Sequence, residues 1–332
     1  MDDGADTADG DPVALVADRI AFDALVDRTD GIDRFCSSTD WIVPLHRCFG
    51  TGPVVLERAG DRAALALAVL PGSPGGRLLC GLDPMWGYAC PVVGPDPVAG
   101  AELVATVLRA RRGRIAGVVL TGIAPGGPLA AAVARRLGRH VAGHGEPVGR
   151  RIARLDDGLD GYLARRPRTF RRNARNATRR AGEAGVVFEW CDGGDTDPVG
   201  LVERAVRAER RSWKGRQDSG LGDPAFARFY REMAAGLADA GEGRRLRAGF
   251  AVLDGHDAGY ILGAVRDDRY RGLQLAYAAE AGRLSLGNLL QLGQMERLAA
   301  EGVTHYDLGQ DMAYKEVWSD ELFVTDTVLL AC

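Results

Sequence analysis

Residues 246–277 read LRAGFAVLDGHDAGYILGAVRDDRYRGLQLAY. Three runs rich in Ala, Val, Ile, Leu, Phe and Tyr, at 246–253, 258–266 and 270–277, are broken by short polar segments. The first break carries Asp254-Gly255, a pair suited to the positive φ angles of a tight hairpin turn. The spacing predicts three consecutive antiparallel strands. Upstream, Asp223-Pro224 is a helix-start signal and predicts a helix over 223–240, preceded by another over 198–213. Downstream, a helix over 286–301 closes at Gly302, followed by a strand THYDLG (304–309) and a last strand FVTDTVLLA (323–331). Helices before the three strands and one crossover helix after them indicate an α/β unit with a mixed, mostly antiparallel sheet flanked by helices.

The rest of the chain fits the same class. A helix is expected at 157–164 and a strongly basic one at 167–184, which Gly185 stops before the strand VVFEW (186–190). In the first half, 13–18 alternates as a strand does, and 53–58 and 62–70 form a hairpin around Ala59-Gly60-Asp61. A strand at 77–82, helices over 98–111 and 126–137 with the apolar strand IAGVVLTG between them, and a strand with crossover at 139–155 complete it. The expected organisation is an acidic disordered tail over 1–12, a first half over 13–155 and a second over 156–332. The length of 332 residues suits two domains.

Composition excludes several classes. The net charge of −3 gives no whole-protein attraction to nucleic acid, so any such signal must be local. The opening MDDGADTADGD is the reverse of a basic, apolar secretory leader, and no apolar run is long enough to cross a bilayer, so a cytoplasmic protein is expected. The six cysteines contain no C-x-x-C pair and the five histidines no metal spacing, so reduced thiols and no metal are expected. Only two of the 42 basic Lys and Arg residues are Lys, Lys214 and Lys315, and the only Asn are Asn173, Asn176 and Asn288. Such a bias replaces Lys by Arg wherever chemistry permits, so each surviving Lys is either a place where a compact ammonium serves and a wide guanidinium does not, or a chance survivor.

Three segments carry candidate chemistry, and both Lys and all three Asn fall within them. The helix YLARRPRTFRRNARNATRR (162–180) holds eight Arg and no acidic residue, with Arg168, Arg171, Arg172, Arg175 and Arg179 on one face. It is either a clamp for the phosphates of a nucleotide, CoA or tRNA end, with Arg171, Arg172, Asn173 and Arg175 as contacts, or a solvated face offset by carboxylates elsewhere. In ERRSWKGRQDSGL (209–221) a helix ends near Gly215, leaving Trp213, Lys214 and Arg216 as a binding loop or Trp213 as a core anchor. In the third segment, RLSLGNLL (283–290) enters a helix, where Ser285, Gly287 and Asn288 offer a cap and backbone N–H groups to an anion. HYDLGQDMAYKEVW (305–318) then sets Asp307 at a strand end, Gly309 as a flexible point, and Tyr314-Lys315 after it; Asp307 and Lys315 are either site residues or a structural ion pair.

Taken together, these motifs resemble the Fem-type peptidyltransferases and the CelD-like, BioF-type acetyltransferase family, built from tandem GNAT-like halves. The matching residues are R-R-N-x-R at 171–175, S-W-K-G-R at 212–216, Phe229-Tyr230, Ala276-Tyr277, S-x-G-x-L-L at 285–290, Y-D-L-G at 306–309 and Y-K-x-x-W at 314–318. They span about 165–320; the first half matches loosely, through Trp41 and Phe49-Gly50. Leu286 departs from the family, which has a small residue or Pro before this glycine.

The resemblance implies an acyltransferase acting without metal: an amine attacks an activated acyl carbon. The leading expectation is an N-acyltransferase using acyl-CoA as co-substrate and a small-molecule or peptide amine as acceptor, in cell-envelope or natural-product biosynthesis. The alternative is an aminoacyl-tRNA-dependent peptide-bond former of the Fem type. A third is a non-catalytic binding protein that keeps the fold. Asp307 and Tyr314 are candidates for handling protons, and Lys315 for holding an oxyanion or phosphate. Tyr277, Gly309 and Trp318 are expected to contact substrate, together with Trp86, which with Met85 and Tyr88 forms an apolar wall or an ordinary packed loop.

Overall fold

The computed structural model describes residues 15, 17–73, 77–194, 196–212, 220–238 and 244–332. The expected acidic tail over 1–12 and the loop residues Trp213, Lys214 and Arg216 lie outside them. The chain forms two compact units, residues 1–148 with 324–332, and residues 149–323.

The first unit opens with helices α1 (Arg19–Asp27), α2 (Arg34–Ser37) and α3 (Thr39–Phe49). Leu15 and Ala17 are helical, not the expected strand. Leu15, Phe22, Leu25 and Val26 are all buried, so the apolar pattern runs at helical spacing into α1. The sheet follows as β1 (Thr51–Arg58), β2 (Ala64–Val69), β3 (Leu78–Cys80) and β4 (Val92–Val93). After α4 (Pro97–Ala110) come β5 (Gly117–Ile123), α5 (Pro128–Leu137) and β6 (Val141–His144). Helix α4 begins where Asp96 accepts from the N–H groups of Val98 and Ala99, both at 3.0 Å, with Pro97 in the first turn. Leu103, Val104, Val107 and Leu108 of α4 then bury against Val118 and Leu120 of β5.

The second unit holds β7 (Val148–Arg154), α6 (Gly158–Ala164), α7 (Arg168–Glu183), β8 (Val187–Asp192), α8 (Pro198–Glu209) and α9 (Pro224–Ala238). Strands β9 (Arg244–Leu253), β10 (His256–Arg266) and β11 (Arg269–Tyr277) are the expected antiparallel trio. At the β9–β10 turn Asp254 and Gly255 have φ of 53° and 74°, the conformation that the pair favours. Helix α10 (Leu286–Ala300), β12 (His305–Gln310) and β13 (Glu321–Ala331) complete the chain. The sheet order is β7-β12-β11-β10-β9-β8. Side chains alternate across it. Tyr260 and Gln274 face α8 and α9, where they meet Glu209 and Tyr230. Ile261 and Leu275 face α10, where Leu286 and Leu290 close the core.

The last strand departs from the expected halves. Val328, Leu329 and Leu330 pair antiparallel with Leu120, Val119 and Val118 of β5, so the C-terminal residues complete the sheet of the first unit. Helix α8 ends at Glu209, four residues short of the expected end. Ser212 has already turned to bridge Ala278, at the end of β11.

Candidate functional site

The site is built on a fork in the second unit's sheet. Strands β11 and β12 run parallel and pair at only three positions: Arg269 with His305, Tyr270 with Tyr306, and Arg271 with Asp307. Beyond Asp307 no further register pairs them, although β11 continues to Tyr277 and β12 to Gln310. Gly272 and Gly309 mark the divergence. A Cβ on Gly272 would stand 2.9 Å from the Asp307 carbonyl, and Gly309 has φ of 82°, which favours glycine.

Asp307 holds the fork closed at its base. Its carboxylate is shared by two buried guanidiniums, Arg150 of β7 and Arg271 of β11, the latter at 2.8 Å, and it accepts the Gly309 N–H at 2.7 Å. Arg150 also lies over the Phe323 ring, 4.8 Å from its centroid. Sequence reasoning missed both arginines, which adjoin Asp307 only through strand register. From the open side of the fork, Lys315 donates from Nζ to the Gln310 carbonyl at 2.9 Å. The same Nζ lies 3.6 Å from where a Gly309 Cβ would stand. Tyr314, next in the same 3₁₀ turn (Ala313–Trp318), is 62% exposed, and partial burial raises its phenol pKa. A phenol shifted that way keeps its proton and is a donor rather than a base at neutral pH.

The second wall is the corner from β11 into α10. Ser285 occupies the N-cap position but in a left-handed conformation (φ 57°), so its side chain makes no cap bond. Its carbonyl accepts the Asn288 and Leu289 N–H groups at 3.0 and 3.2 Å, and Arg180 of α7 reaches Oγ at 3.4 Å and the Arg283 carbonyl at 3.3 Å. Arg180 was outside the expected five-residue face, yet it is the one that touches this corner. Gly287 serves close packing: a Cβ there would stand 3.0 Å from Leu275 and 3.2 Å from Tyr277. Asn288 is exposed in the first turn of α10.

Helix α7 packs inward through Ala177 and Ala181, against Leu289. Asn173 and most of its arginines face solvent. Arg179 pairs with Glu183 at 3.4 Å, whereas Arg168, Arg171, Arg172 and Arg175 have no carboxylate partner among the described residues. Trp318, by contrast, is core. It is 6% exposed, its ring meets Phe170 edge-on at 4.7 Å, and its carbonyl accepts from Tyr162 at 2.9 Å.

A buried polar chain also went unread in the sequence. Glu209, fully buried at the end of α8, accepts from the Tyr260 hydroxyl and from the N–H groups of Leu221 and Gly222. Gln274, on β11 past the fork, donates to the Tyr230 hydroxyl at 3.1 Å. Glu209 stands inside the 209–221 segment, but nothing local marks it as buried.

In the first unit, half-buried Trp86 lies 5.3 Å from the Trp41 ring and stacks on Tyr88 at 6.5 Å. The loop is shaped by buried Asp83, which accepts from the N–H groups of Met85, Trp86, Tyr88 and Ala89. Burial raises the Asp83 pKa against the pull of those four bonds.

Residues 168–316 match the family model of the Acetyltransferase (GNAT) domain. FemX is similar to the chain at 14% identity and a TM-score of 0.62, over 93% of this chain and 95% of that one. The matched segment is a GNAT domain, and the chain shares the fold of FemX. The same fold occurs in the C-terminal domain of a putative lysylphosphatidylglycerol synthetase from Agrobacterium fabrum, at 16% identity and a TM-score of 0.61, covering 95% and 92% of the two chains. It occurs again in L-PGS from Bacillus licheniformis, at 11% identity and a TM-score of 0.59, covering 94% and 90%. No curated protein sequence matches the chain. The matched GNAT segment contains the fork, the α7 arginines and the Ser285 corner. Among the described residues no helix is long and apolar enough to cross a membrane.

Proposed function

We propose that the GNAT domain transfers an acyl group from acyl-CoA to an amine. The observation that carries this reading is the fork: two parallel strands that part after three residue pairs, with Lys315 on one side and the Ser285–Arg180 corner on the other. In this reading the donor's pyrophosphate meets the N–H groups at the start of α10 and Arg180. The thioester lies in the gap between β11 and β12. The amine nitrogen attacks the carbonyl carbon, the C–N bond forms and the C–S bond breaks. Lys315 stabilises the oxyanion, and Tyr314, held protonated, gives its proton to the leaving thiolate. The proton lost by the amine passes to water. Asp307, with its oxygens engaged by Arg150, Arg271 and Gly309, serves as the anchor that sets the Gly309–Lys315 backbone. Tyr277 lines the β11 side.

One observation favours a second reading, an aminoacyl-tRNA donor. The arginines from Arg168 to Arg179 extend over about 16 Å of helix, longer than one pyrophosphate requires. Four of them have no carboxylate partner among the described residues. The fold shared with FemX and with lysylphosphatidylglycerol synthetase is consistent with a donor of either kind.

The test is calorimetric titration of wild type and Lys315→Ala with CoA, acetyl-CoA and a longer acyl-CoA, then with charged tRNA at two salt concentrations. Saturable CoA binding that Lys315→Ala weakens supports the acyl-CoA enzyme. Binding of tRNA alone, falling steeply with salt, supports the second reading. Binding of neither refutes both.

A further inference from the structure

Among the described residues eight large apolar side chains are markedly exposed, and four fall within the short stretch 312–322: Met312 at 48%, Tyr314 at 62%, Val317 at 40% and Leu322 at 46%. Their arrangement is imposed by the backbone. Residues three apart eclipse in a 3₁₀ turn. In Ala313–Trp318 this stacks Tyr314 and Val317 on the outer side, while Lys315 and Trp318 turn inward to the Gln310 carbonyl and the core. Leu322 joins the same face: Leu322 Cδ1 and Asp311 Cβ both lie about 3 Å from where a Gly149 Cβ would stand, which sets Leu322 beside the Asp311–Met312 step.

Cations border this face. Arg166 donates to the carbonyls of Val317 and Ser319, and Phe170 packs on Trp318, so the start of α7 adjoins the turn. The next residues outward, Arg168, Arg171 and Arg172, have no carboxylate partner among the described residues. Nearby carboxylates are largely committed: Asp311 to Arg151 at 2.6 Å, Asp320 to Arg165 and Arg166, and Glu321 to Arg154 at 4.0 Å. Glu316 is exposed in the turn itself.

We propose that this face docks on the surface of an anionic lipid bilayer. A cluster of exposed Met, Val and Leu beside Tyr314 is unfavourable in water unless something covers it. A phosphate-rich apolar boundary suits both halves of the face. Met312, Val317 and Leu322 enter the headgroup region, and the α7 arginines meet lipid phosphates at its edge. The docking would bring the open side of the fork, where Lys315 sits, close to the lipid surface. The inference goes beyond the transfer reaction and holds whichever donor the domain uses.

The experiment is co-sedimentation of the full chain with vesicles of phosphatidylcholine alone and of equal phosphatidylglycerol and phosphatidylcholine. The variants are Met312→Ser/Val317→Ser/Leu322→Ser and Arg168→Ala/Arg172→Ala. All five positions are exposed, so both variants should keep the wild-type melting temperature, which is measured alongside. Expected are binding to the anionic vesicles only, a loss of about tenfold or more in the triple variant, and about fivefold per arginine removed. Wild type that fails to sediment with anionic vesicles overturns the proposal. So does a triple variant that binds as wild type does, since charge alone would then explain the attraction, and so does binding to tRNA with none to vesicles.

Discussion

Replacing Asp307 by Asn separates the two roles that its position allows. The substitution keeps the volume and one oxygen for the Gly309 N–H, and it removes the charge shared by Arg150 and Arg271. Both guanidiniums are buried, at 4% and 5% exposure. Taking one partner from a buried ion cluster typically costs about 3–5 kcal/mol, because the remaining charge stays desolvated without its counter-ion. The Asn oxygen still accepts one hydrogen bond, so the lower end, about 3 kcal/mol, applies. In a unit of this size each kcal/mol moves the melting temperature by about 2–4 °C, giving a fall of about 6–12 °C in scanning calorimetry. A variant melting within about 1 °C of wild type would refute the anchoring argument. If that variant also lost turnover, Asp307 would return to the proton-handling role that the sequence first suggested.

Two other predictions rest on burial. Trp318→Ala empties the space between Phe170 and Tyr162 and should destabilise the protein by about 3–5 kcal/mol in urea titration; a stable, inactive variant would instead mark Trp318 as a substrate contact. The pH prediction follows from Tyr162, Tyr260, Tyr270 and Tyr306, whose pKa values burial raises. Their folded pKa values exceed the unfolded value of about 10, so their contribution is intact below that pH. It is lost as pH climbs beyond, at about 1.4 kcal/mol per group per pH unit. Melting followed from pH 9 to 11 should fall by the equivalent of about 5 kcal/mol for the four groups. An unchanged midpoint would contradict their burial. The buried thiols of Cys80 and Cys90, pushed up to about 12 by burial, add to the fall over this range.

The elements that local chemistry specifies were legible in the sequence. Asp254-Gly255 dictates its turn, Asp223-Pro224 starts its helix with Asp223 accepting the Ala225 N–H at 2.7 Å, and the arginine helix ends at Gly185. Features made by register were not legible. Arg150 and Asp307 are 157 residues apart, and no spacing announces that β7 lies beside β12. The same holds for the last strand, whose apolar residues fit any sheet and whose place beside β5 is a matter of topology. Ser285 shows a third limit. A serine before a helix reads as a cap, but its left-handed backbone turns it into the partner of Arg180, a conformation that the letters S-L-G do not reveal.

The Lys315 environment explains why a chain so biased towards arginine keeps a lysine there. Its ammonium donates to the carbonyl of Gln310, five residues earlier, and passes beside Gly309, whose positive φ favours glycine. A guanidinium at this place would spread its planar fork across the Gly309 backbone and demand several acceptors at once. A compact ammonium on a thin stem needs less room and makes no such planar demand. Asp307 fixes Gly309, Gly309 supplies the positive φ, and the 3₁₀ turn carries Lys315 inward while Tyr314 stays at the surface. The cation, the proton donor and the strand opening are therefore set by one short segment, 305–318. That is why the motif read in the sequence is compact, although the two arginines that hold it come from β7 and β11.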